Sequence, residues 1–150
     1  MKLTADQVKE IAAQAYEKGG KPDLRDRDLS YIGLFAVNLS GADLSGADLS
    51  DASLSKADLS RANLSHAMLS GAGLGAANLR EANLSQANLF QANLRDCDLR
   101  GADLRGAYLG SADLDHADLQ GADLHGARYT DDSCWSIDFD PAAAGAVHRF

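Results

Sequence analysis

Four histidines, His66, His116, His125 and His148, and two cysteines, Cys97 and Cys134, are the side chains through which this chain could bind a metal or supply a nucleophile or base. The 22 acidic residues could supply carboxylate pairs for general acid–base work. Their spacing argues against each use. No two histidines stand at the separation of zinc ligands on one turn, and no serine, histidine and acid form a recognisable constellation. Gly71, Gly73 and Gly75 lie inside Ala-Leu repeats and not at a strand-to-helix junction, so they do not read as a phosphate-binding loop. The chain is therefore read as non-enzymatic, with no cofactor and no metal site, and its histidines as solvated side chains.

The elements that would position any such residue are set by leucine. It recurs at every fifth position from Leu24 to Leu124, 21 times without a miss. On an α-helix a step of five turns the side chain by about 140° net, so these leucines would spiral round all sides. In one continuous strand an odd step sends successive leucines to opposite faces. Neither element buries them. A chain that changes direction within each five residues does, with every leucine pointing at a common axis and successive coils stacked.

The other positions of the unit agree. Two residues before each leucine, from Ala42 to Ala127, alanine holds every slot except Cys97, as a narrow dry interior requires. The residue just before the leucine is mostly Asp or Asn, such as Asp43, Asp48, Asn63, Asn78, Asn88 and Asp98, whose side chains bond nearby backbone and favour turns. The two residues after it are small or polar and are expected to face water, as in Ser40-Gly41 and Arg100-Gly101.

The units Ala42-Asp43-Leu44-Ser45-Gly46, Ala57-Asp58-Leu59-Ser60-Arg61 and Ala102-Asp103-Leu104-Arg105-Gly106 resemble the A(D/N)LXX unit of pentapeptide-repeat proteins, and the register is unbroken from residue 24 to about 128. The resemblance implies an all-β solenoid, a right-handed quadrilateral parallel β-helix with four pentapeptides per 20-residue coil. About six such coils would rise roughly 25 to 30 Å. On that frame Cys97 takes an alanine slot in the fourth coil and Cys134 a leucine slot in the sixth. About 9 to 10 Å of axial separation puts them beyond disulfide reach, and both are expected to be reduced core thiols.

A solenoid exposes strand edges at both ends, so caps are expected. Residues 1–20 read as an N-terminal cap: Thr4 and Gln7 fit a capping box, Val8, Ile11, Ala12, Ala15 and Tyr16 form an apolar stripe, and Gly19-Gly20 stops the helix, which spans about 5 to 18. The β-helix is assigned to 21–140. Near its end Tyr129, Cys134 and Phe139 replace leucine, Ile137 takes an alanine slot, and Asp132 in another predicts a loop or distorted coil. Residues 141–150 are read as a tail or short closing helix, with Asp140 as its cap and Pro141 at its first position. The aromatic end of Trp135, Phe139 and Phe150 is the alternative, a self-association surface, since the resemblance implies that some relatives dimerise there.

With a net charge of -8, no apolar run of membrane-spanning length and an amphipathic start unlike a signal peptide, the expected setting is the cytoplasm. Neither nucleic acid nor a membrane is expected as a partner. The resemblance raises an alternative function, an acidic DNA mimic that binds DNA gyrase or another topoisomerase. Half of the acids, however, hold the structural slot before leucine, and Arg80, Arg95, Arg100 and Arg105 interrupt any acidic stripe. The favoured reading is a protein-interaction module, a monomer or a dimer through the C-terminal end. Its partner-binding residues are taken to be Met68, Phe90 and Tyr108, which share one side among uncharged neighbours.

Overall fold

A five-residue unit with Asp or Asn before its leucine satisfies its own backbone, and the unit Ala42–Gly46 shows how. Ala42 N–H donates to the Leu39 carbonyl at 3.0 Å and closes a turn. Asp43 N–H reaches down to the Pro22 carbonyl at 2.9 Å, while Leu44 and Gly46 N–H reach up to Asn63 and Ser65 at 2.7 and 3.0 Å. The fifth donor, Ser45 N–H, bonds Asp43 Oδ1 at 3.1 Å. Asp or Asn is preferred before leucine because its side chain is the acceptor for the one N–H that neither the turn nor a neighbouring coil can take, and buried N–H groups are rarely left unpaired.

The computed structural model describes all 150 residues. Parallel bridges join residues 20 apart, from Asp23↔Asp43 to Tyr108↔Arg128, and each 20-residue coil carries four turns, one after each leucine. The leucines and the small residues two places before them all point inward into one apolar core, and no polar or charged residue is buried. The corner position two after each leucine has φ > 0 throughout, for example Gly41 at 68° but also Asp26 at 55°, Tyr31 at 59° and His66 at 58°. With the leucine carbonyl accepting from the residue three on, these are type II turns. No β-branched residue occupies any of these corners from Asp26 to Gly126, consistent with the steric cost of φ > 0 for such side chains.

Helix α1 (Ala5–Glu17) starts from the expected capping box between Thr4 and Gln7. It lays Val8 and Ala12 into the core, and the Tyr16 hydroxyl donates to the Ser40 carbonyl at 2.9 Å. It therefore lies over the first coil as a lid.

The C-terminal end departs from the sequence expectation in three places. The strands β1 (Asp113–Leu114) and β3 (Cys134–Trp135) pair Asp113 with Cys134, a span of 21 residues, so one extra residue has entered the coil around Asp132, where the costly inward carboxylate predicted a distortion. The shift puts Trp135, not Cys134, over Leu114, and Cys134 is exposed rather than in the core. Ile137, expected inward, is 96% exposed. Finally, no helix follows Pro141. Asp140 does cap the segment, accepting from Ala143 N–H at 3.1 Å, but three alanines make a single turn that Gly145 at φ 92° ends. The chain then returns as β4 (Val147–His148), pairing in parallel with β2 (Arg128–Tyr129) as the last partial coil.

Candidate functional site

On the side of the coil built by Leu29, Leu49, Leu69, Leu89 and Leu109, the ladder stacks Asp28, Asp48, Met68, Asn88, Tyr108 and Arg128 in one outward column. Asp28, Asp48 and Asn88 do what the repeat requires, accepting from the N–H two residues on: Ser30, Ser50 and Phe90 respectively. Met68 and Tyr108 have no acceptor to offer there. At two positions of this column the unit therefore gives up the bond that explains its own consensus and presents a large apolar group instead.

Those groups form a plate with Phe90. The Tyr108 ring leans sideways and stacks on Phe90, centroids 5.8 Å apart and planes within 2°. Gly110 makes this lean possible, because a Cβ there would lie 2.5 Å from Tyr108 Oη and 2.6 Å from Cζ. Met68 is 45% exposed below the stack. Above it the Arg128 guanidinium lies 5.3 Å from the Tyr108 ring centre, a cation–π distance. The three sequence-predicted residues thus share one side, and two of them touch. Sequence reasoning did not find the roles of Arg128 and Gly110; the signal was present, since Arg128 stands 20 residues after Tyr108 and Gly110 20 after Phe90.

Six other arginines on the coils are committed to carboxylates, while Arg27, like Arg128, is not. Arg100 and Arg105 fork onto Asp98 and Asp103 of their own units at 2.6 Å and also approach Asp118 and Asp123, 18 residues on, at 3.6 and 3.9 Å. Arg95 bridges Asp113 and Asp115, Arg80 faces Asp98, Arg61 faces Glu81, and Arg25 joins Asp23 to Asp43. The guanidinium bonds hold Asp98 and Asp103 below the usual carboxylate range and take Asp23 down to about 2. Arg128 makes no such pair; its charge is free to face a partner.

The groups with catalytic potential do not assemble. His148 bonds Asp131 at 2.7 Å and His116 lies 3.5 Å from Asp115, but neither meets a serine or cysteine. No three His, Cys, Asp or Glu side chains converge as a metal site would need. Cys97 is buried, and burial pushes its thiol up to about 12. A cavity of about 380 Å³ between α1 and the first coil, lined by Tyr16, Phe35, Val37 and Lys9 among others, was not foreseen from sequence. Its lining is mostly apolar.

Four-turn coils stacked through parallel bridges 20 residues apart, with leucine inside every turn, are the architecture on which the apolar plate sits. The pentapeptide repeats family model matches over residues 34–71, 57–96, 67–106 and 92–128, and the chain belongs to that family. Among solved structures, HetL, a pentapeptide repeat protein involved in heterocyst differentiation regulation from the cyanobacterium Nostoc sp. strain PCC 7120, is 32% identical, with 83% of this chain and 69% of that one covered at a TM-score of 0.52. Rfr23 from the cyanobacterium Cyanothece 51142 is 26% identical, covering 83% and 97%, at a TM-score of 0.48. A pentapeptide repeat protein of the Arabidopsis thaliana thylakoid lumen is 27% identical, covering 73% and 66%, at a TM-score of 0.46. Among curated proteins, none matches the chain. No helix is long and apolar enough to cross a membrane.

Proposed function

We propose that this protein is a non-enzymatic protein-interaction module, a right-handed solenoid whose binding surface is the side bearing Met68, Phe90 and Tyr108. The observation that carries this reading is the replacement of the backbone-capping acceptor by Met68 and Tyr108. The bond, worth about 1 kcal/mol, is also given up at Gly33, Ser53 and Gly73 of the adjoining column, but only on this side do large apolar side chains take the acceptor's place. Stacked aromatics beside a free arginine and without intervening charge match the composition of an interface core. The likeness to HetL, a protein involved in regulation, is consistent with a binding role. A cytoplasmic setting fits the free thiols of Cys97 and Cys134.

The test is capture of a native partner by the wild type and by the variant Met68→Asn, Phe90→Ser, Tyr108→Asn. The two asparagines restore the repeat's own acceptor, so the variant is expected to be at least as stable as the wild type while losing the partner. Retention of the partner by a folded variant sinks the reading.

The DNA-mimic reading has less support. The net charge of -8 favours it, and acids outnumber arginines in the fourth to sixth coils, but Arg95, Arg100 and Arg105 pair with Asp98, Asp103, Asp113 and Asp115 there and interrupt the acidic surface. Gyrase supercoiling is expected to be unaffected by micromolar protein. Inhibition that disappears when Asp103, Asp113, Asp115, Asp118 and Asp123 are neutralised together would make mimicry the better reading.

A further inference from the structure

The column on the Leu29 side is ordered about its middle. Asn88 has Met68 one coil below and Tyr108 one coil above; one coil further out stand Asp48 below and Arg128 above. The apolar residues are placed symmetrically and the charged ones antisymmetrically. Asp51, at the corner beside Asp48, adds a second negative charge at the lower end, and Arg149, which follows β4, a second positive charge at the upper end. Asp48, Asp51 and Arg128 make no ion pair within the chain, in contrast to Arg25, Arg61, Arg80, Arg95, Arg100 and Arg105.

A surface with this order is its own complement when turned end for end. A two-fold axis level with Asn88, lying in the plane of the interface and at right angles to the stacking direction of the coils, brings Asp48 and Asp51 against Arg128 of a second copy, and Met68 against Tyr108 of that copy. Both contacts then occur twice, as an isologous interface requires. Met–aromatic contact and opposite charges at the rim are each favourable. We infer that the second occupant of this side is another copy of the chain, lying antiparallel along the Leu29 side. The inference rests on the reading of that side as the binding surface and names its partner.

The expected strength follows from size. A total accessible surface of 7340 Å² over four sides and two ends leaves roughly 1,200 Å² per side, and covering half of one side in each copy reaches the lower limit for specific interfaces. A monomer–dimer equilibrium at micromolar concentrations, weakened by salt, is the consequence.

Sedimentation equilibrium of the full chain tests it, using two charge-reversal variants. One is Arg128→Asp; the other is Asp48→Arg with Asp51→Lys. The slots tolerate these residues, since Arg128 itself occupies the position before its leucine-equivalent Tyr129 and Lys56 occupies a corner. Each variant alone is expected to be monomeric, its dimer weakened tenfold or more, because like charges would meet at both contacts. An equimolar mixture is expected to restore the dimer, because the reversed charge of one variant then faces the reversed charges of the other, and unreversed faces unreversed, so that opposite charges meet at both contacts. A wild type that stays monomeric at 100-fold higher concentration, or a dimer that both variants leave intact, overturns the inference; in the second case the exposed Ile137 and Phe150 of the C-terminal end become the contact. If the wild type is monomeric yet the Met68→Asn, Phe90→Ser, Tyr108→Asn variant loses a host partner, the binding surface stands and only its self-association is wrong.

Discussion

The Cys97 thiol donates to the Leu74 carbonyl of the preceding coil at 2.9 Å, from the one small-residue slot between Ala42 and Ala127 that is not alanine. Its burial raises the thiol to about 12, far from the thiolate form that reacts. Cys134, displaced outward by the extra residue of the last coil, is exposed. A thiol reagent at pH 8 is therefore expected to modify one cysteine per chain rapidly in native buffer and both in denaturant. Replacement of Cys134 by serine should remove the fast phase; fast labelling that survives it would place Cys97 at the surface.

Ala92 is buried against the axis, and an alanine column leaves no room for a larger group. Ala92→Leu should cost about 1 to 3 kcal/mol through overpacking. Ser55 points outward, so Ser55→Leu should stay within about 0.5 kcal/mol. At about 2 to 4 °C per kcal/mol for a chain of this size, the melting temperatures separate the two. Equal shifts would mean that the inward and outward assignments are wrong.

Removal of residues 1–20 takes away α1 and with it Val8, Ala12 and the bond from Tyr16 to Ser40. The first coil would then present unpaired strand edges and bare leucines, and light scattering is expected to show association in place of a clean monomer–dimer mixture. A truncated protein that scatters like the parent would demote the helix from lid to accessory.

The arginine–aspartate pairs carry a pH signature. Asp23, Asp98 and Asp103 are held below their usual range by bonds from Arg25, Arg100 and Arg105, so these carboxyls give up their protons more readily folded than unfolded. Near pH 3 to 4 the unfolded chain binds more protons, and stability falls as the pH drops through that window. Above about pH 4.5 the contribution of these pairs is complete and constant. Denaturant midpoints should be flat with respect to these groups from pH 5 to 7 and decline below 4. In Arg100→Gln, Arg105→Gln the decline should be shallower; an unchanged slope would show that the pairs contribute nothing. The arginines of these pairs are largely solvent-exposed, so salt should weaken them.

Much of this molecule was legible in its residues because every inner coil repeats one environment. A period of five in leucine admits no helix and no straight strand, and the small slot two residues earlier names the second inward position; the structure places Leu24 to Leu124 and Ala42 to Ala117 as read. Thr4 and Gln7 announced α1 because a cap is local chemistry. Tertiary structure decided what depends on residues one coil apart or on the lack of a next coil. The left-handed φ of Tyr31, Lys56 or His66 follows from closing the corner, not from the preference of those residues. Arg100 meets Asp118, and Tyr108 reaches Phe90 over Gly110, only because stacking sets positions 18 to 20 residues apart side by side. At the top no further coil templates the register, so Cys134 slipped out, Trp135 took its place and the tail after Asp140 returned as a strand: there the energy of each residue depends on what covers it, which no periodicity records.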